Sequence, residues 1–166
     1  IFLFVFAALS ATKAQDTDTQ NLGDNFSLEG ALAIFKTSAS LEAFEAAINE
    51  EKNNVNNLDL NEDGNIDYVQ VADIMENDAH VIVLSTYLDG NEKQDIATIG
   101  IEKTGATSAV LQIIGDEELY PENTIVEPYE EEEGTGRSKG GPSYDELEWN
   151  RIVVNVWGWP CVRFMY

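Results

Sequence analysis

Apolar positions along the chain change their spacing about a third of the way through, and that change divides the sequence into two kinds of element. Leu28, Leu32 and Phe35 recur at three- and four-residue intervals, the period of one face of a helix. Ser27 stands before them as an N-cap, and Glu29 follows in the first turn, where the helix dipole favours an acid. Thr37-Ser38-Ala39-Ser40 breaks the run. A second helix is predicted from Leu41 to Glu51, with Leu41, Phe44 and Ile48 on one face. The asparagine-rich stretch 53–57 ends it, because Asn side chains compete for backbone hydrogen bonds and suit turns.

Beyond that point the pattern is that of strands. Ile66 to Met75, His80 to Leu88, Ile96 to Lys103 and Ser108 to Ile114 are short runs rich in Val, Ile, Tyr and Thr. Asp89-Gly90-Asn91 and Thr104-Gly105 separate them as turn signals. Connections this short make neighbouring strands antiparallel, since a parallel crossover needs a dozen or more residues. Helices first and strands after predict an α+β fold: two N-terminal helices packed on an antiparallel sheet of about four to six strands. One more strand is expected at Arg151–Trp157, within a C-terminal aromatic segment, 144–166.

The flanks read differently. Residues 1–9 are apolar but far too short to span a bilayer, and the small residues Thr12 and Ala14 follow. That is the pattern of a secretory signal peptide ending at Ala14, here without its start methionine and basic n-region. Export to the periplasm or the medium is the expectation, with no membrane span in the mature chain. Residues 15–26 are polar and read as a flexible tether, 27–128 as the α+β domain, and 129–143 as an acidic, Gly-rich linker.

Charge narrows the partners. The 166 residues carry 31 Asp and Glu against 9 Lys and Arg, a formal charge of -22. No basic patch could offset phosphate repulsion, so nucleic acid is excluded as a partner and anionic membrane surfaces are disfavoured. At 43% hydrophobic residues the chain is too apolar for a disordered acidic polymer. A lone cysteine, Cys161, forms no intramolecular disulfide and reads as a small buried apolar residue. The natural small partner is a cation.

One stretch offers a cation a site. Residues 59–70 read Asp-Leu-Asn-Glu-Asp-Gly-Asn-Ile-Asp-Tyr-Val-Gln. Asp59, Asn61 and Asp63 fall at alternate positions, Gly64 permits a sharp turn, Asn65 offers its carbonyl, and Asp67 comes four residues after Asp63. A cation of calcium's size takes six to eight oxygens, and alternate residues of a tight loop can aim theirs inward. The stretch resembles the calcium loops of the EF-hand and dockerin families over these twelve residues. The resemblance implies Ca2+ held by Asp59, Asn61, Asp63, Asn65 and Asp67. Two departures stand out: Gln70 occupies the twelfth position in place of a bidentate Glu, and a strand follows where an EF-hand has a helix. The loop is therefore expected as a helix–loop–strand variant. The missing ligand is water, the Gln70 amide oxygen, or a remote acid such as Asp73 or Glu76. The ligand count fits an affinity of roughly 10⁻⁴ to 10⁻³ M. An Asp/Asn/Gly-rich turn that binds nothing is the competing reading. Asn-Phe-Ser-Leu-Glu-Gly-Ala-Leu near the start and Val-Val-Asn-Val-Trp near the end are similar to a group of small exported proteins of Gram-negative bacteria, which implies a location and no activity.

Catalysis finds little support. His80 is the only histidine, at the start of an apolar strand, and reads as structural. One His and one Cys do not make a zinc site. Paired acids for hydrolysis have no readable spacing among 31. The reading is a non-enzymatic calcium-binding protein. The alternative is a protein- or glycan-interaction module using Trp149, Trp157 and Trp159, with the loop incidental.

Overall fold

The computed structural model describes residues 22–88, 90–129 and 154–166, and it has the α+β architecture. Helix α1 (Leu28–Thr37) starts at Ser27, whose hydroxyl accepts from the Gly30 N–H at 3.0 Å. It stops where Ser38 turns its N–H and hydroxyl back onto Ile34, with an Oγ–O distance of 2.8 Å. Helix α2 (Leu41–Ile48) is capped the same way, by Ser40 accepting from the Ala43 N–H. Their apolar faces meet through Phe35 and Phe44, both fully buried, in an edge-to-face pair with centroids 5.2 Å apart.

Five strands follow: β1 (Gln70–Glu76), β2 (Ala79–Tyr87), β3 (Lys93–Gly105), β4 (Ser108–Gly115) and β5 (Ile125–Val126). They lie in sequence order, each antiparallel to the next. Alternation puts Ile82, Leu84, Ile99, Ile101, Leu111 and Ile113 on the inner face, all buried under the helices. The opposite face carries Ala72, Ile74, Val81, Val83, Thr98 and Ile114, and no described helix covers it. The β2–β3 register shifts between Leu84 and Ser85, so Ile96 and Ala97 are both buried.

Two stretches differ from expectation. Residues 22–26, assigned above to a tether, form a 3-10 turn at Leu22–Asn25 and insert Phe26 into the core. Phe26 bridges to Asn56, and Tyr120 donates to the Phe26 carbonyl at 2.8 Å. The polarity of the preceding residues hid one large side chain with a hydrophobic place to go. At the other end, Val154–Trp157 forms no strand. The Asn155 side chain takes the ladder's place, accepting from the Ala109 and Trp157 N–H groups and donating to the Thr107 carbonyl. A third helix, α3 (Pro160–Met165), follows with proline in its first turn and buries Cys161 and Val162. The leader 1–14, most of the tether, the linker from 130 onward and Trp149 lie outside the described residues.

Candidate functional site

The loop between α2 and β1 is held at its base by asparagines. Asn49, the C-cap of α2, donates to the carbonyls of Glu45 (2.8 Å) and Val69 (2.7 Å). Its oxygen accepts from the Val69 N–H at 2.8 Å and from the Asn56 side chain at 3.1 Å. Asn56 also donates to the Asp67 carbonyl and accepts from the Leu58 N–H. The Asp67 N–H donates to the Leu58 carbonyl at 2.7 Å, closing the loop's neck. Helix α2 does not run into the loop: it ends at Ile48, and a 3-10 turn (Glu51–Asn53) with Asn54 in the left-handed region intervenes. The asparagines, short and doubly functional, can reach backbone where a helical turn would have continued.

Above the neck the backbone folds around its own acids. The two oxygens of Asp59 accept from the Asp63 and Gly64 N–H groups, each at 3.0 Å. Asn61 Oδ1 shares the Asp63 N–H at 3.0 Å. Asp63 Oδ1 accepts from the Asn65 N–H (2.8 Å) and side chain (2.9 Å), and these bonds, the backbone one foremost, hold its carboxyl below the usual value. Gly64 sits at φ 83°, a conformation that a side chain would oppose, and Glu62 at 57° adds a second left-handed residue. Asp67 is 8% exposed and aims Oδ2 at the Leu60 N–H, 2.6 Å away. Asn61 reaches out of the loop to the Leu88 carbonyl, beside the β2–β3 turn.

The structure thus brings Asp59, Asn61 and Asp63 around one turn, with Asn65 bonded to Asp63. It points Asp67 at the start of the loop rather than at the other two acids. Gln70 is the first residue of β1, exposed and paired with Ser85. Asp73, considered above as a replacement ligand, is engaged elsewhere: its oxygens lie 2.9 and 3.0 Å from His80 Nδ1. Among the described residues no group of three or more His, Cys, Asp or Glu is arranged to hold a metal ion.

The other chemical candidates resolve into packing. His80 is 3% exposed, paired with Asp73 and met edge-on by Tyr166 at 4.7 Å, and its Nε2 is buried without a partner among the described residues. Burial, followed by the charges of Glu42 and Asp73, pushes the Cys161 thiol up to about 11, far from thiolate reactivity at neutral pH. Trp159 is a core side chain near Phe35, with ring centroids 6.4 Å apart. Trp157 is half-buried beside Tyr166, and the Lys103 ammonium lies 5.1 Å from one ring and 5.5 Å from the other. Among the described residues no helix is long and apolar enough to cross a membrane.

Asn49, Asn56 and Glu45 are the residues of this site that sequence reasoning missed. The asparagine-rich stretch 53–57 signals turn chemistry, which covers Asn56, whereas Asn49 falls within the predicted second helix and carries no such signal. Comparisons with protein-family models, curated proteins and solved structures find no match for the chain.

Proposed function

We propose that the loop of residues 59–70 binds one calcium ion and that the protein is an exported, non-enzymatic calcium-binding module. The observation that carries this reading is the turn itself. Asp59 accepts two consecutive N–H groups while Asn61 and Asp63 each accept one from two residues ahead. These bonds hold the three side chains in place around Gly64; both Asp59 oxygens and Asn61 Oδ1 keep a further lone pair for a cation, and Asp63, whose Oδ1 accepts twice from Asn65, offers Oδ2. Asp59, Asn61 and Asp63 would supply side-chain oxygens, Asn65 its carbonyl, and Asp67 and Gln70 would join directly or through water. The ion would offset the mutual repulsion of the three carboxylates, so its role is to fix the junction between α2 and β1. Export, argued from the apolar leader, would put the loop in millimolar calcium. This reading leaves Trp157 and Trp159 to packing, in line with their burial.

Thermal unfolding and calorimetric titration of the full chain test it. At about 5 mM calcium, an affinity of roughly 10⁻⁴ to 10⁻³ M adds about 1–2 kcal/mol of stability. Asp59→Ala and Asp63→Ala should abolish both the heat of binding and the rise in melting temperature. Unchanged melting of the parent chain, with no heat on titration, rejects the proposal.

A further inference from the structure

Among the described residues β1 is an edge strand, and they cover only half of its outer edge. Odd-numbered residues point their backbone groups away from β2. Val69 has its N–H and carbonyl taken by the Asn49 side chain, and the Val71 N–H donates to Glu45 at 2.9 Å. The even-numbered Tyr68 shows the opposite sense, its carbonyl accepting from Thr86 of β2. By the same alternation the N–H and carbonyl groups of Asp73 and Met75 face outward. No bond to either from outside β2 is made by the described residues. Around them the surface is apolar and open: Ile74 is 56% exposed and Met75 61%, with Ala72 exposed beside them. Lys, Pro and bulges are absent from β1, and its one inward-pointing charge is Asp73, a guard that a basic side chain on the incoming strand would neutralise.

We propose that the free half of the β1 edge, residues 72–75, takes up one more strand from a protein partner, an extended segment alternating Lys or Arg with Val or Ile. The alternation follows from the two faces. On the outer face the incoming side chains would lie beside Ala72 and Ile74, backed by Val81 and Val83, which favours apolar residues. On the inner face they would meet Asp73, with the Glu45 carboxylate at one end of the edge, which favours bases; Glu76, on the outer face, and Asp78, in the turn, add acid at the other end. A second copy of this chain is disfavoured, because it would bring the same acids against themselves on a molecule of charge -22. Backbone hydrogen bonds supply affinity and the alternating side chains supply selectivity.

Fluorescence anisotropy of the full chain with a labelled peptide, Gly-Lys-Val-Lys-Ile-Lys-Val-Lys-Gly, is the test. Saturable binding is expected. The same peptide N-methylated at alternate residues keeps its charge and loses its strand-pairing donors, and should bind at least about tenfold more weakly. Met75→Pro, which removes an outward N–H and leaves the β1–β2 ladder intact, and Ile74→Lys should each weaken the unmodified peptide to a similar extent. Equal binding of the methylated and unmethylated peptides overturns the proposal in favour of simple charge attraction. So does an absence of binding, or sedimentation showing that the chain self-associates through β1. Slow hydrogen exchange at the Asp73 and Met75 amides without peptide overturns it too, since the edge is then already covered.

Discussion

Asn49 does more for this fold than any other single polar residue near the loop. Its one amide bonds to Glu45, to both backbone groups of Val69 and to Asn56, so it ends a helix, extends a strand edge and anchors the loop's neck together. Replacing it with Ala strands several partly buried groups at once, and the expected loss is about 2–3 kcal/mol in urea unfolding. Asn56→Ala should cost about 1–3 kcal/mol by the same reasoning. The double variant should lose less than the sum, because the two share a bond, and full additivity would refute the network. Very little of this was legible beforehand. The sequence shows that these residues are asparagines and that asparagine favours turns; it does not show that 49 and 69, twenty residues apart, face each other. The alternation from Asp59 to Gly64 was legible because its hydrogen bonds are local. Asp67 was not, since its carboxylate is aimed by contacts with Leu58 and Leu60 across the neck.

Elements whose signals lie within a few residues could be read directly. Ser27 and Ser40 cap the helices foreseen for them, and the four longer strands emerge where β-branched runs alternate. β5 and α3 could not be read so. β5 is two residues long and exists because β4 offers it a partner. α3 follows an apparent strand pattern, and the cue to it was Pro160 after Gly158, a helix start rather than a strand's continuation. The β4–β5 connection returns to β5 over Tyr120, which packs against Gly23 and Gly115. A Cβ on Gly23 would lie 2.5 Å from the Tyr120 ring and one on Gly115 2.6 Å. Neither glycine needs a left-handed backbone, so the constraint is space alone. Gly115→Ala should therefore destabilise by about 1–3 kcal/mol, and combined with Tyr120→Ala, which removes the ring, it should cost less than the sum of the two single changes. A Gly115→Ala protein as stable as the parent would show that the ring has room to move.

At the scale of the whole molecule, the acid-rich surface and the buried titrating groups set how stability varies with pH. Cys161 holds its proton in the folded state up to about pH 11, against about 9 for the free thiol, because burial disfavours its charge. Burial, with Glu29 and Asp24 nearby, raises Tyr120 above its ordinary 10 as well. Both groups ionise more readily once the chain unfolds. Above about pH 9 the unfolded state therefore binds fewer protons than the folded one, and stability falls as pH rises. Urea midpoints measured between about pH 8 and 11 should decline steadily, and Cys161→Ala should flatten the earlier part of that decline. A parent chain whose midpoint stays level across the range would contradict the burial of both groups.

The inner face of the sheet is completed from far along the chain. Val156, Trp159, Cys161 and Val162 join a core whose other members end at Leu119. The Tyr166 hydroxyl reaches back 88 residues to the Asp78 carbonyl. A ribosome making this protein must therefore release α3 before the sheet can be sealed. Until then the nascent chain holds α1, α2 and most of the sheet with one flank of its hydrophobic interior still wet, and that interval is when a chaperone has something to grip.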